Sequence, residues 1–217
     1  NTIAIMIEPV QGEGGVHPAT MEFMKGLREF CDEKGMLLLI DEVQTGWCRT
    51  GAVMSYMNYG IKPDIVSMAK GLGGGMPIGA FVGRDDIMQS LNNHHPLIGH
   101  ASTFGGHPLG CVAALATLNC IIEDNLMADV ERKGTRYRNE LTHPLIKQVK
   151  GIGLFNCIEL REDVDWQKAL ISCFSEGIIT GTHLFNSQCL SLKPALIITD
   201  EQITESIERI KTALDKI

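Results

Sequence analysis

The feature that most constrains this chain is an alternation, through its first half, of short apolar runs with amphipathic helical stretches. Residues 3–7 form a brief β-rich run that ends in Glu8-Pro9, and residues 36–40 are apolar at every position. Between them Met21, Met24, Leu27 and Phe30 recur at helical spacing over 18–34, with Pro18 near the first turn and Gly35 as the stop. Residues 65–69 and 78–82 continue the series as further short strands. A strand that is apolar throughout is expected to be covered on both faces. The alternation therefore predicts an α/β fold, with a mostly parallel sheet and helices on both sides.

The second half reads differently. Residues 108–124 form a long apolar helix, and 128–141 a charged amphipathic one that ends near Pro144. Strands over 154–160, 177–180 and 189–192 and a helix over 164–176 follow. A last helix starts at Asp200, read as its N-cap, with Ile203, Ile207, Ile210 and Leu214 on one face. This α+β tail predicts a second, smaller unit, with the division taken as 1–127 and 128–217. At 217 residues the chain is long enough for one large domain or one and a half.

Bulk properties exclude several classes. A net charge of −7 offers no basic patch for nucleic acid or anionic lipid. No apolar stretch approaches the roughly 20 residues of a membrane span. The seven cysteines are odd in number, scattered and without a C-x-x-C pair, which predicts reduced, buried side chains in a cytoplasmic protein. His94 and His95 are adjacent, and neighbouring residues of a helix or strand diverge, so no zinc site is expected. The chain opens in mid-strand without Met, which leads us to expect a piece of a longer protein.

Chemistry gathers at the predicted strand ends. Glu8, Asp41 and Lys70 each follow the last apolar residues of a separate strand, so a parallel sheet brings all three to one rim, where open α/β sheets bind ligands. Unpaired charge on an apolar rim is costly, and a ligand that uses the charges resolves the cost. Lys70 precedes Gly71-Leu-Gly73-Gly74-Gly75, the reverse of a phosphate loop, in which the lysine follows the glycines and a hydroxyl comes next. An amine beside such small residues suits carbonyl chemistry. Together with Asp41 it suggests a pyridoxal phosphate (PLP) site.

Longer motifs carry a family resemblance. Asp41-Glu-Val-Gln44-Thr-Gly-Trp-Cys-Arg49-Thr-Gly51, Tyr59-Gly-Ile-Lys-Pro-Asp64 and Ala69-Lys70-Gly-Leu-Gly-Gly-Gly-Met-Pro-Ile-Gly-Ala80 resemble class III PLP-dependent aminotransferases, most of all the acetylornithine and ornithine members. Glu8-Pro-Val-Gln-Gly-Glu13-Gly-Gly15 upstream and His100-Ala-Ser102-Thr103-Phe-Gly-Gly-His-Pro108 downstream fit the same family. The resemblance implies part of an aspartate-aminotransferase-like large domain, followed by a small α+β C-terminal domain. It implies that Lys70 holds PLP covalently and shuttles a proton. Asp41 would pair with the pyridine nitrogen, Val43 pack on the ring and Gln44 bind the phenolic oxygen. Ser102 and Thr103 would bind the phosphate of a neighbouring subunit's cofactor, which implies a homodimer with shared sites. Glu8 and Glu13 would face substrate. The implied reaction moves an amino group from an ornithine-like or acetylornithine-like ω-amine donor to a 2-oxo acid, 2-oxoglutarate. Another donor, such as 4-aminobutyrate or a diamine, is the alternative, as is an inactive fragment or paralogue that serves as a structural subunit.

Two departures qualify the resemblance. The family's N-terminal part, with a further phosphate loop and an aromatic ring stacked on the pyridine, has no counterpart here. Ser191 stands where ornithine-type members carry an arginine that grips the substrate carboxylate, and serine cannot replace a bidentate fork. Lys193 is expected to be solvated, and Glu13, which pairs with that arginine in the family, to be left as a free carboxylate.

Overall fold

A computed structural model describes residues 1–91 and 101–217. His94, His95 and His100 lie outside the described residues. The strands are β1 (Ala4–Ile7), β2 (Val10–Gln11), β3 (His17–Pro18), β4 (Leu37–Asp41), β5 (Ile65–Met68), β6 (Ala80–Gly83), β7 (Ile146–Ile152), β8 (Phe155–Leu160), β9 (Thr182–His183) and β10 (Asn186–Leu192). The helices are α1 (Met21–Lys34), α2 (Asp85–Met88), α3 (Pro108–Glu123), α4 (Met127–Glu140), α5 (Trp166–Ser175) and α6 (Asp200–Leu214). The chain divides into two compact units. One comprises Asn1–Pro9, Thr20–Trp47 and Met54–Asn125, and the other Val10–Ala19, Cys48–Val53 and Leu126–Ile217. Among the described residues no single helix is long and apolar enough to cross a membrane.

In the first unit the sheet order is β1-β4-β5-β6. β1, β4 and β5 are parallel, as the alternation predicts, while β6 runs antiparallel to β5. β4 corrects a second expectation. Leu38 and Ile40 are fully buried, but Leu37, Leu39 and Asp41 are only half-buried, so a single face is fully covered. An all-apolar run says that both faces can be buried; it does not say that the described chain supplies both covers. Helix α1 begins later than its Pro18 signal. Thr20 is its N-cap, with Oγ1 accepting from the Phe23 amide at 3.1 Å, because Pro18 is already paired in β3. Gly35 ends it in the left-handed conformation (φ 64°), which glycine adopts without a Cβ penalty. The apolar helix α3 buries only Gly110 and Ile121, leaving Leu109, Val112, Leu115 and Ile122 exposed. Cys111 and Cys120 on α3 are also exposed, against the expectation of burial; the other five cysteines are buried.

The second unit is built on an antiparallel sheet ordered β7-β8-β10-β9. One face, through Ile158, Leu160, Leu190 and Leu192, packs with Val130 and Tyr137 of α4 and with Ile203, Ile207 and Ile210 of α6. The other face, through Phe155, Cys157 and Cys189, packs on Val10 and Val16 of the β2–β3 hairpin. The sequence reading missed β7, whose Ile-Lys-Gln-Val-Lys-Gly-Ile has weak apolar alternation, and placed a strand over 177–180 that is coil here. Thr199, not Asp200, caps α6, in a capping box with Gln202.

Candidate active site

The parallel register settles what the rim holds. Ile7 pairs with Ile40 and Ile40 with Val66, so β1, β4 and β5 end together. Glu8 directly follows β1, Asp41 is the last residue of β4, and Lys70 is the second residue after β5. Asp41 Oδ1 accepts from the Val43 amide at 2.9 Å, and among the described residues no hydrogen bond engages the other oxygen. Val43 and Gln44 continue the same turn, both half-buried.

Glu42, next to Asp41, turns inward and is fully buried. Its carboxyl accepts from the Thr45 hydroxyl and from the Tyr56 amide at 2.8 Å. Burial pushes its pKa up against those hydrogen bonds. Glu42 thereby anchors the turn that presents Asp41, Val43 and Gln44, a role the sequence reading did not assign.

Lys70 opens a 3-10 turn over Lys70–Gly73, with its backbone at φ 45°. That left-handed conformation disfavours any residue with a Cβ. The side chain is exposed and makes no hydrogen bond or ion pair with the described residues. The glycines after it are explained by packing. A Cβ on Gly74 would lie 2.2 Å from Thr117 Oγ1 of α3, so only glycine allows this approach. A Cβ on Gly71 would meet the Trp47 side chain at 3.5 Å, so Trp47 lies against the turn, and its indole Nε1 is buried without a partner.

Ser67 is the register partner of Asp41, and its Oγ is also buried without a partner. It lines a cavity of about 770 Å³ in the first unit together with Phe81, Met88, Ser102 and Gly105. Ser102 and Thr103 are exposed at the mouth of the turn that leads to α3. The sequence reading singled out neither Ser67 nor Trp47. The available signal was one hydroxyl in the otherwise apolar β5.

Glu13 belongs to the second unit. Its carboxylate is not free: Oε2 accepts from the Leu184 amide at 3.0 Å, and its backbone carbonyl accepts from the Phe185 amide at 3.1 Å. Ser191 contributes backbone groups here, its amide donating to Gly181 O at 2.7 Å and its carbonyl accepting from Thr180 Oγ1 at 2.6 Å. Lys193 is not solvated as expected. It is half-buried, with Nζ 4.5 Å from the Phe155 ring centroid, close enough for a cation–π contact.

The rim fits PLP on its own chemistry. Among the described residues it offers an amine without a partner, a carboxylate with one oxygen unengaged and a buried hydroxyl lacking a partner. Comparison with known proteins points the same way. The pattern of the family Aminotransferase class-III matches residues 1–214. An acetylornithine aminotransferase from Caldanaerobacter subterraneus is 39% identical over 219 residues, covering 99% of this chain and 54% of that protein. A putrescine aminotransferase from Pectobacterium atrosepticum is 38% identical over 221 residues, covering 99% of this chain and 47% of that protein. Among solved structures, an ornithine aminotransferase from Toxoplasma gondii, with partial occupancy of PLP at its active site, superposes with a TM-score of 0.90 at 34% identity. It covers 99% of this chain and 51% of that one. The chain belongs to the class-III aminotransferase family. It spans about half the length of the curated relatives it matches.

Proposed function

We propose that this chain carries the lysine half of a PLP-dependent aminotransferase that moves an amino group from an ω-amine donor of the ornithine or acetylornithine type to 2-oxoglutarate. The observation that carries the reading is the exposed Lys70 amine, unpaired among the described residues, on a strained turn at the same sheet end as Asp41. PLP, when bound, supplies an electron sink for the substrate's amino-bearing carbon. Lys70 would hold the cofactor through its side-chain amine and would carry a proton to and from the substrate carbon. Asp41 would offer its second oxygen to the ring nitrogen and favour that nitrogen's protonated form. Val43 would pack on the ring, and Gln44 would bind the phenolic oxygen. Ser102 and Thr103 bind phosphate across a homodimer, where hydroxyl donors next to glycines approach closely. Glu8 and Glu13 face substrate. The residues assigned to the cofactor, Asp41, Val43, Gln44, Lys70, Ser102 and Thr103, all belong to the first unit, in a cytoplasmic enzyme.

A second donor class has specific support. Ser191 offers no cationic fork for a substrate carboxylate, and a putrescine aminotransferase matches about as closely as the acetylornithine enzymes. Turnover of ornithine, acetylornithine, 4-aminobutyrate and putrescine by the complete natural protein separates the two readings. Preference for donors bearing a carboxylate supports the first, and preference for putrescine the second. The enzyme reading itself predicts a visible cofactor absorbance that disappears in Lys70→Ala. A verified complete protein with no such absorbance is instead an inactive relative.

A further inference from the structure

Ser67 is the single polar residue of β5 (Ile65–Met68), and it sits three residues before Lys70. Its Oγ is covered and has no hydrogen-bond partner among the described residues. Buried hydroxyls in folded proteins are nearly always paired, so an orphan at this place calls for an explanation. The register supplies one. Asp41 pairs with Ser67 across parallel strands, and Ser67 with Phe81 across the antiparallel pair. Paired residues share a sheet face, so Asp41, Ser67 and Phe81 form a row across it. Neighbouring strands lie about 4.8 Å apart, and one χ1 rotation of a serine spans the remaining gap to a carboxylate beside it. Val43 already holds one oxygen of that carboxylate, leaving the other.

We infer that Ser67 is a positioning residue for Asp41: its hydroxyl donates to the Asp41 carboxylate and fixes its orientation toward the cofactor's ring nitrogen. This rests on the reading of the rim as a PLP site. The hydroxyl acts in two ways. It holds the carboxylate in one rotamer, and it gives the oxygen that Val43 leaves unengaged a donor. Ser67 does not touch reacting atoms, and its loss weakens a site that remains assembled.

The test is cofactor binding by the complete natural protein, titrated by absorbance, for wild type, Ser67→Ala, Ser67→Thr and Ser67→Val. Thr keeps the hydroxyl, whereas Val has the shape of Thr without it. The expected result is about tenfold weaker binding in the Ala and Val variants, the size of one hydrogen bond to a charged group, with Thr within about twofold of wild type. Thermal melts of the cofactor-free variants check that all remain folded. Binding in Ser67→Ala equal to wild type overturns the inference while leaving the PLP reading intact. Equal weakening in Thr and Val overturns it too, since the side-chain shape would then matter and the hydroxyl would not. A wild-type protein that binds no PLP removes both.

Discussion

The residue that bears the proposed chemistry is also conformationally strained. Lys70 holds φ 45°, where a side chain costs roughly 1–2 kcal/mol relative to glycine. Strain of this kind persists where the surroundings over-determine it, and here the Gly74–Thr117 approach and the Trp47–Gly71 contact do so. Lys70→Gly should therefore be more stable than Lys70→Ala by about 0.5–1 kcal/mol in urea unfolding, after allowing for glycine's looser unfolded chain. Equal stabilities would mean that the turn relaxes freely. Asp64 shows how the strands beneath the rim are held. It is nearly fully buried and accepts from the Leu38 amide at 2.7 Å, from Arg28 at 2.9 Å and from Arg84. Burial alone would raise its pKa, but the Leu38 amide and the Arg28 guanidinium outweigh burial and hold it below the usual carboxylate range. Its contribution to stability is thus complete above the ordinary aspartate pKa and lost as pH falls through the lowered one. Asp64→Ala should cost about 2 kcal/mol at neutral pH, since it leaves the Leu38 amide unpaired and half-buried Arg28 with the Asp32 carboxylate alone. The acid limb of a stability–pH curve should flatten with it. A variant that unfolds along the wild-type curve would show that the network contributes nothing.

At the scale of elements, packing overrides propensity in places that sequence patterns cannot reveal. Gly134 lies inside α4, where alanine is normally the better helix former by roughly 0.5–1 kcal/mol. A Cβ there would sit 1.7 Å from the Gly153 carbonyl oxygen, so the helix rests directly on the turn between β7 and β8. Gly134→Ala should therefore destabilise, by roughly 3 kcal/mol, the upper part of the overpacking range. A gain in melting temperature would contradict the packing. The parallel strands, α1, α3, α4 and the rim residues Asp41 and Lys70 were legible because long apolar runs and their bounding charges are local signals. β7 was not, because its lysines and glutamine break the alternation, and β6 was read without its direction because a short strand carries no mark of orientation. The partners of Glu13 and Lys193 were hidden for another reason. Both are engaged by residues far along the chain, a backbone amide at 184 and a ring at 155, and no spacing rule connects them.

At the scale of the molecule, two units share one chain without dividing it at a single point. The second unit takes in Val10–Ala19 and Cys48–Val53 as well as everything from Leu126. Val10 and Val16 complete the cluster around Phe155, Cys157 and Cys189, all fully buried. A fragment limited to Leu126–Ile217 should consequently expose Cys157 and Cys189 to a thiol reagent that does not reach them in the native chain. Full protection in the fragment would show that this face needs no cover. The linear division at residue 127 missed this exchange because short segments of ten and six residues carry too little pattern to betray which core they join. The central claim, that Lys70 is the residue that holds PLP, has a direct measurement. The complete natural protein is loaded with PLP, reduced with borohydride, digested and mapped by mass spectrometry. A pyridoxyl adduct on the Lys70 peptide, absent from Lys70→Ala, is the predicted result; an adduct on another lysine, or none, would contradict it.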